Sequence, residues 1–86
     1  MINVEKQAND LFEVTVTEDA GSTRHSVTVD DEYHQQLTGG QIGKEELVRR
    51  SFEFLLAREP KESILSQFDL RVISRYFPSY EDEISA

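Results

Sequence analysis

The chain has 86 residues, no cysteine, and 9 Lys+Arg against 17 Asp+Glu, a formal charge of -8. Without cysteine there is no disulfide framework, thiol nucleophile, or thiolate-held zinc or iron–sulfur group. The longest apolar run, Phe54-Leu55-Leu56-Ala57, falls far short of the ~20 residues that span a bilayer.

Leu, Ile, Val and Phe supply 24 of the 86 residues, above the ~20% floor under which disorder is expected. One small folded domain over residues 1–86 follows. The acidity is uneven: residues 1–40 hold two bases and eight acids, 41–60 four of each, and 61–86 three bases and five acids. That balance repels phosphate backbones and anionic membrane surfaces and favours solubility. Met1-Ile2-Asn3-Val4-Glu5-Lys6 has no apolar signal region, so a cytoplasmic location is expected.

Residues 1–10 read as a polar lead-in. From Leu11 to Thr17, Phe12, Val14 and Val16 alternate with Glu13, Thr15 and Thr17, the period of a half-buried strand. Asp19-Ala20-Gly21-Ser22 has turn chemistry, after which His25, Val27 and Val29 alternate with Arg24, Ser26 and Thr28. A four-residue loop over 19–22 sets Val14 against Val27, Phe12 against Val29 and Val16 against His25, so a β-hairpin with one apolar face is predicted. Such a hairpin is marginal alone. It needs helices beneath it and leaves its edges open.

Asp30 or Asp31 caps a short helix through Leu37, with Tyr33 and Leu37 on one face. Thr38-Gly39-Gly40 ends it. The longest helix is predicted over 44–58, with Gly43 as N-cap and Ile42 and Leu47 as its staple. Glu45–Arg49 and Glu46–Arg50 are spaced for ion pairs on its surface. Phe54, Leu47, Leu55, Val48, Phe52 and Leu56 spread over an arc of about 200°, wider than the ~100° stripe of a surface helix. Two burial partners are implied: the hairpin, together with a C-terminal helix or a second subunit.

Glu59-Pro60 stops that helix. Pro60 can open a short helix over 60–67 that turns Ile64, Leu65 and Phe68 inward. Residues 69–77 read as a helix capped by Asp69, with Leu70, Ile73 and Phe77 on one face; the β-branched Val72 and Ile73 leave an extended segment as the alternative. Residues 79–86 form an acidic tail expected to fray. The fold class is therefore α+β: an N-terminal β-hairpin packed on three to four short helices.

Few residues suggest chemistry. His25 lies on the apolar face of the second strand, where a packed strand residue outweighs a ligand or general base. His34 and Asp30, four apart within Asp30-Asp31-Glu32-Tyr33-His34, could share a divalent cation. Carboxylates in a first helical turn more often complement the helix dipole. Gly39-Gly40-Gln41-Ile42-Gly43 lacks the lysine–hydroxyl ending of a phosphate loop and reads as a turn between helices. No nucleophile–base set or paired-carboxylate cleft emerges. No enzyme, metal or cofactor is expected.

The run Arg24-His25-Ser26-Val27-Thr28-Val29-Asp30-Asp31-Glu32, the turn Gly40-Gln41-Ile42-Gly43 and the helical Lys44-Glu45-Glu46-Leu47-Val48-Arg49-Arg50 resemble the ribbon-helix-helix family over residues 24–56. The resemblance implies a DNA-binding transcriptional regulator whose strand pairs with that of a second subunit. Arg24, Ser26 and Thr28 would enter the major groove, with Lys44 at a phosphate. Phe52-Glu53-Phe54-Leu55-Leu56, Phe68-Asp69-Leu70 and Tyr76-Phe77-Pro78 are similar to a small bacterial protein family of unknown function, which implies no activity. The leading expectation is a non-enzymatic interaction or regulatory module that self-associates, as a homodimer or with a protein partner, through Phe52, Phe54 and Leu56 on the over-wide arc.

Overall fold

In the computed structural model, residues 1–19 and 21–85 are described, and they build an α+β fold. The expected hairpin is present as β2 (Leu11–Glu18) and β3 (Gly21–Thr28). Its register differs from expectation by two residues: Phe12 pairs with Val27, Val14 with His25 and Val16 with Thr23, and the ladder runs on to Glu18–Gly21. Gly21, at a φ of 135°, adopts a backbone conformation that side-chain-bearing residues avoid, which lets pairing extend into the expected 19–22 loop. Ala20, also assigned to that loop, lies outside the described residues. A slip of two preserves the face of every side chain, so Phe12, Val14, Val16, His25, Val27 and Val29 are all buried as expected.

The lead-in is a strand. β1 (Ile2–Lys6) pairs antiparallel with β2, setting Ile2 against Val16 and Val4 against Val14. The Met1 amino group donates to the Thr17 carbonyl at 2.7 Å and fastens its start. Two inward positions were too few to show a period in the sequence. On the other flank, β4 (Gln67–Asp69) lies parallel to β3, pairing Val27 with Phe68. The sheet order is β1-β2-β3-β4. Both edges of the hairpin are thus paired from within the chain over part of their length, β2 at Phe12–Val16 and β3 at Ser26–Thr28.

Helices cover one sheet face. α1 (Asp31–Thr38) is capped by Asp30, whose Oδ1 accepts from the Tyr33 amide at 2.8 Å, and ends at Gly39 with a φ of 63°. α2 (Lys44–Leu56) starts after Gly43 as expected and stops two residues short of Arg58. Glu46 pairs with Arg50 at 2.9 Å and lies 4.0 Å from Arg49, which donates to the Ile2 carbonyl at 2.6 Å and makes no pair with Glu45. A helical cation thereby covers part of the exposed edge of β1.

The expected helix over 60–67 is only a 3-10 turn, Lys61–Ser63. Ile64 and Phe68 turn inward, whereas Leu65 faces out, 48% exposed. Extended backbone at Ile64 leads the chain into β4. α3 (Arg71–Tyr76) settles the open alternative over 69–77 as a helix after a short strand; Asp69 still accepts the Arg71 amide at 2.9 Å, but from within β4.

The tail is docked rather than frayed. α4 (Tyr80–Ile84) buries Tyr80 completely, and its phenol meets Ser51 Oγ at 2.6 Å. Because Ser51 donates to the Leu47 carbonyl at 2.8 Å, the Tyr80 hydroxyl is the donor of that pair. Burial pushes its pKa up to about 12, keeping the hydroxyl protonated and able to donate.

Tyr80→Ala should therefore lower unfolding free energy by about 3–5 kcal/mol, the usual cost of emptying a buried aromatic site. Urea denaturation followed by circular dichroism measures it; a loss under ~1 kcal/mol, normal for surface positions, would show the tail to be undocked.

Candidate functional site

Two polar constellations and one apolar groove stand out. The first polar group gathers where β3 and β4 deliver the chain to α1 and α3. Arg71 grips the α1 cap in a fork, Nη1 to Asp30 Oδ2 at 2.7 Å and Nη2 to Asp30 Oδ1 at 3.1 Å. Its guanidinium lies 4.6 Å from the centre of the Tyr33 ring. The Tyr33 hydroxyl donates to Glu81 at 2.7 Å, and Thr28 donates to Asp69 at 2.9 Å. Hydrogen bonds from Arg71 and from the Tyr33 amide hold Asp30 down at about 2. Burial, then the Glu81 carboxylate, drives the Tyr33 phenol well above its ordinary range. Every charge here already has a partner, so the cluster fastens α1, α3 and α4 together.

The second group centres on Lys44, whose ammonium lies 2.8 Å from Asp10 and 2.6 Å from Asp31 and donates to the Asn9 carbonyl at 3.2 Å. It is 12% exposed and braces the β1–β2 loop against two helices.

The residues nominated from sequence distribute as follows. Arg24, Ser26 and Thr28 share the open sheet face, but β3 is hydrogen-bonded to β2 on one side and β4 on the other. β4 occupies that outer edge at Ser26, Val27 and Thr28, the turn-distal part of the strand, whereas Gly21–His25 pair with β2 alone. Lys44 opens α2, on the other side of the sheet, and does not join them.

His34 Nε2 donates to the Ile42 carbonyl at 2.6 Å while Asp30 is held by Arg71; among the described residues no three metal-ligating groups converge. His25 is buried, with Nδ1 donating to the Leu65 carbonyl at 2.7 Å and Nε2 2.8 Å from Thr23 Oγ1. That contact with Leu65 pins the segment entering β4.

Phe52, Phe54 and Leu56 are not available as an exposed interface. Phe52 packs under the sheet, 5.3 Å from His25 and 6.0 Å from Phe68. Phe54 faces the opposite way, 5.8 Å from Phe77 and 5.2 Å from Tyr80. Leu56 is half-buried against the same core. The wide apolar arc is thus filled by the sheet and the C-terminal helices of its own chain.

The surface left incompletely covered lies beside that arc. A groove of about 430 Å³ runs between the end of α2, the segment after the 3-10 turn, and α3. Leu55, Ile64, Phe68 and Ile73 form its buried floor, and Val72 and Phe77 its half-buried walls. Leu65 and Tyr76, 48% and 68% exposed, stand at its lips, and Glu59 and Ser63 are the polar residues that line it.

The expected elements turn Ile64, Leu65 and Phe68 inward and set Ile73 and Phe77 on one helix face, with no packing assigned to Val72 or Tyr76. The signal lay in three adjacent pairs, Ile64-Leu65, Val72-Ile73 and Tyr76-Phe77, within elements only a few residues long. A short element covers the core with one side only, so one member of each pair is left nearer the surface. Comparison with family models, curated proteins and solved structures finds no match.

The Asp30 clamp makes a pH prediction. The folded-state pKa of Asp30, about 2, lies below its ordinary value of 3.8. Its contribution is therefore complete well above pH 3.8 and is lost as pH falls through about 2. Thermal melts should show stability declining over that acid window. Asp30→Asn should melt lower at neutral pH and decline less steeply on acidification; parallel profiles for the two proteins would refute the clamp.

Proposed function

We propose that the chain is a small, non-catalytic interaction or regulatory module of the cytoplasm that binds a protein surface through the apolar groove. The observation carrying this reading is the groove itself, open to solvent and bordered by Leu65 and Tyr76. Among the described residues, Met1 is the other strongly exposed large apolar side chain. Isolated exposed apolar residues are ordinary on any protein, whereas a contiguous apolar concavity marks a place where another molecule is received.

The polar chemistry agrees with a binding role. No buried side-chain nitrogen or oxygen among the described residues lacks a hydrogen-bond partner, which is the condition of groups that hold a structure together. The groove is lined mainly by carbon, with the Glu59 carboxylate, the Ser63 hydroxyl and the Tyr76 phenol as its polar side-chain groups. Apolar burial supplies its affinity and these polar groups orient what enters.

Photo-crosslinking tests this. A benzophenone amino acid placed at Val72 or Leu65 should capture protein in the native host. The same group at Thr15, on the uncovered sheet face, should capture little. Equal or absent capture at all three positions would overturn the reading.

A further inference from the structure

We infer that the groove receives a second copy of this chain, with Tyr76 of each copy entering the other's groove and Arg75 meeting the other's Glu59. This rests on the groove being the docking surface and names its occupant.

Shape is the first reason. Tyr76 projects from the lip of the groove with most of its side chain in water, so each molecule carries an aromatic knob and an apolar hole side by side. A two-fold axis brings each knob to the other's hole, because an isologous contact uses the same patch twice. Aromatic anchors seated in pockets are the usual centres of binding energy at protein interfaces.

Charge is the second. Seven of the nine bases form ion pairs, leaving Lys6 and Arg75 without one among the described residues. Arg75 precedes the exposed Tyr76, and Glu59, likewise without an ion pair, lines the groove. Each copy therefore presents one cation beside its knob and one anion beside its hole, a pattern complementary to itself under a two-fold axis.

The third reason answers the repulsion between two chains of charge -8. That charge is concentrated elsewhere: residues 1–40, which line none of the groove, carry two bases and eight acids. Residues 55–77, which hold all its lining, carry four bases and three acids. Like-charged molecules meet with least penalty where their local charge is balanced. A basic partner, by contrast, would be drawn to the acid-rich residues 1–40. The patch is small, and interfaces below about 1,200 Å² are characteristically weak, so a dimer at tens to hundreds of micromolar is expected.

Sedimentation of the full chain tests the inference. The wild type should pass from the 9.9 kDa monomer to a dimer across about 10–500 µM, the range of a weak interface. Tyr76→Ala should raise the dimer dissociation constant at least about tenfold with an unchanged thermal melt, since the side chain is largely in water. Arg75→Glu and Glu59→Arg should each weaken the dimer, setting like charges against one another. The Arg75→Glu/Glu59→Arg double variant should restore it, as should mixing the two single variants.

A wild type that stays monomeric throughout overturns the second copy as occupant. Groove-specific cross-links to a different protein would then leave the docking role standing. A dimer indifferent to Tyr76→Ala, or one not restored by the charge exchange, also overturns the inference.

Discussion

The fold depends on α2 having two partners. Phe52 and Phe54 lie two residues apart, about 200° around a helix, and so point in nearly opposite directions. Phe52 meets the sheet through His25 and Phe68, while Phe54 meets Phe77 and Tyr80. A helix apolar on both sides is unstable with either side bare. The sheet alone leaves Phe54 in water; the C-terminal helices alone leave Phe52 there. Tyr80, with Phe77 and Ile84 packed beside it, is consequently part of the core.

Polar contacts determine how those helices seat. Arg58 donates to Glu83 at 2.9 and 3.1 Å with its guanidinium 3.6 Å from the centre of the Phe54 ring. Tyr33 holds Glu81, and Tyr80 reaches Ser51 in the middle of α2. Three consecutive acids, Glu81, Asp82 and Glu83, look in sequence like a solvated run. Two of them are tied to specific residues on α1 and just beyond α2. Lys61 acts similarly at the far end, held within 3.2 Å of Glu18 and 2.7 Å of Glu62 with only 5% of its side chain exposed. These carboxylates raise its affinity for a proton, keeping the ion pair intact where β2 meets the 3-10 turn.

The hairpin and α2 were legible because each repeats its period several times, and α1 because residues suited to helix ends stand at both of its limits. Phe12, Val14 and Val16 establish a strand, and Asp30 and Gly39 mark the limits of α1. Even the misplaced hairpin register cost nothing in the inner face, since a two-residue slip leaves every side chain on its own side. Elements made by distant pairing were illegible. β1 has only Ile2 and Val4 to show, and β4 is three residues long. Both exist because the hairpin offers them an edge. The tail was misread for a related reason: Tyr80 finds its partner 29 positions upstream, and no local pattern announces a phenol bound for Ser51.

The groove follows from the same economy of short elements. A 3-10 turn, a three-residue strand and a six-residue helix follow one another from Lys61 to Tyr76, and none is long enough to present a full amphipathic face. Each delivers one apolar residue inward, Ile64, Phe68 and Ile73, and the shallow floor they form is broader than the single turn above it can cover. His25 then holds the Leu65 carbonyl, so the backbone there cannot turn over to carry the side chain inward without breaking a part-buried hydrogen bond. The exposed lip is thus a consequence of how β4 is attached to the sheet. A buried histidine thereby fixes the shape of the lip of the groove.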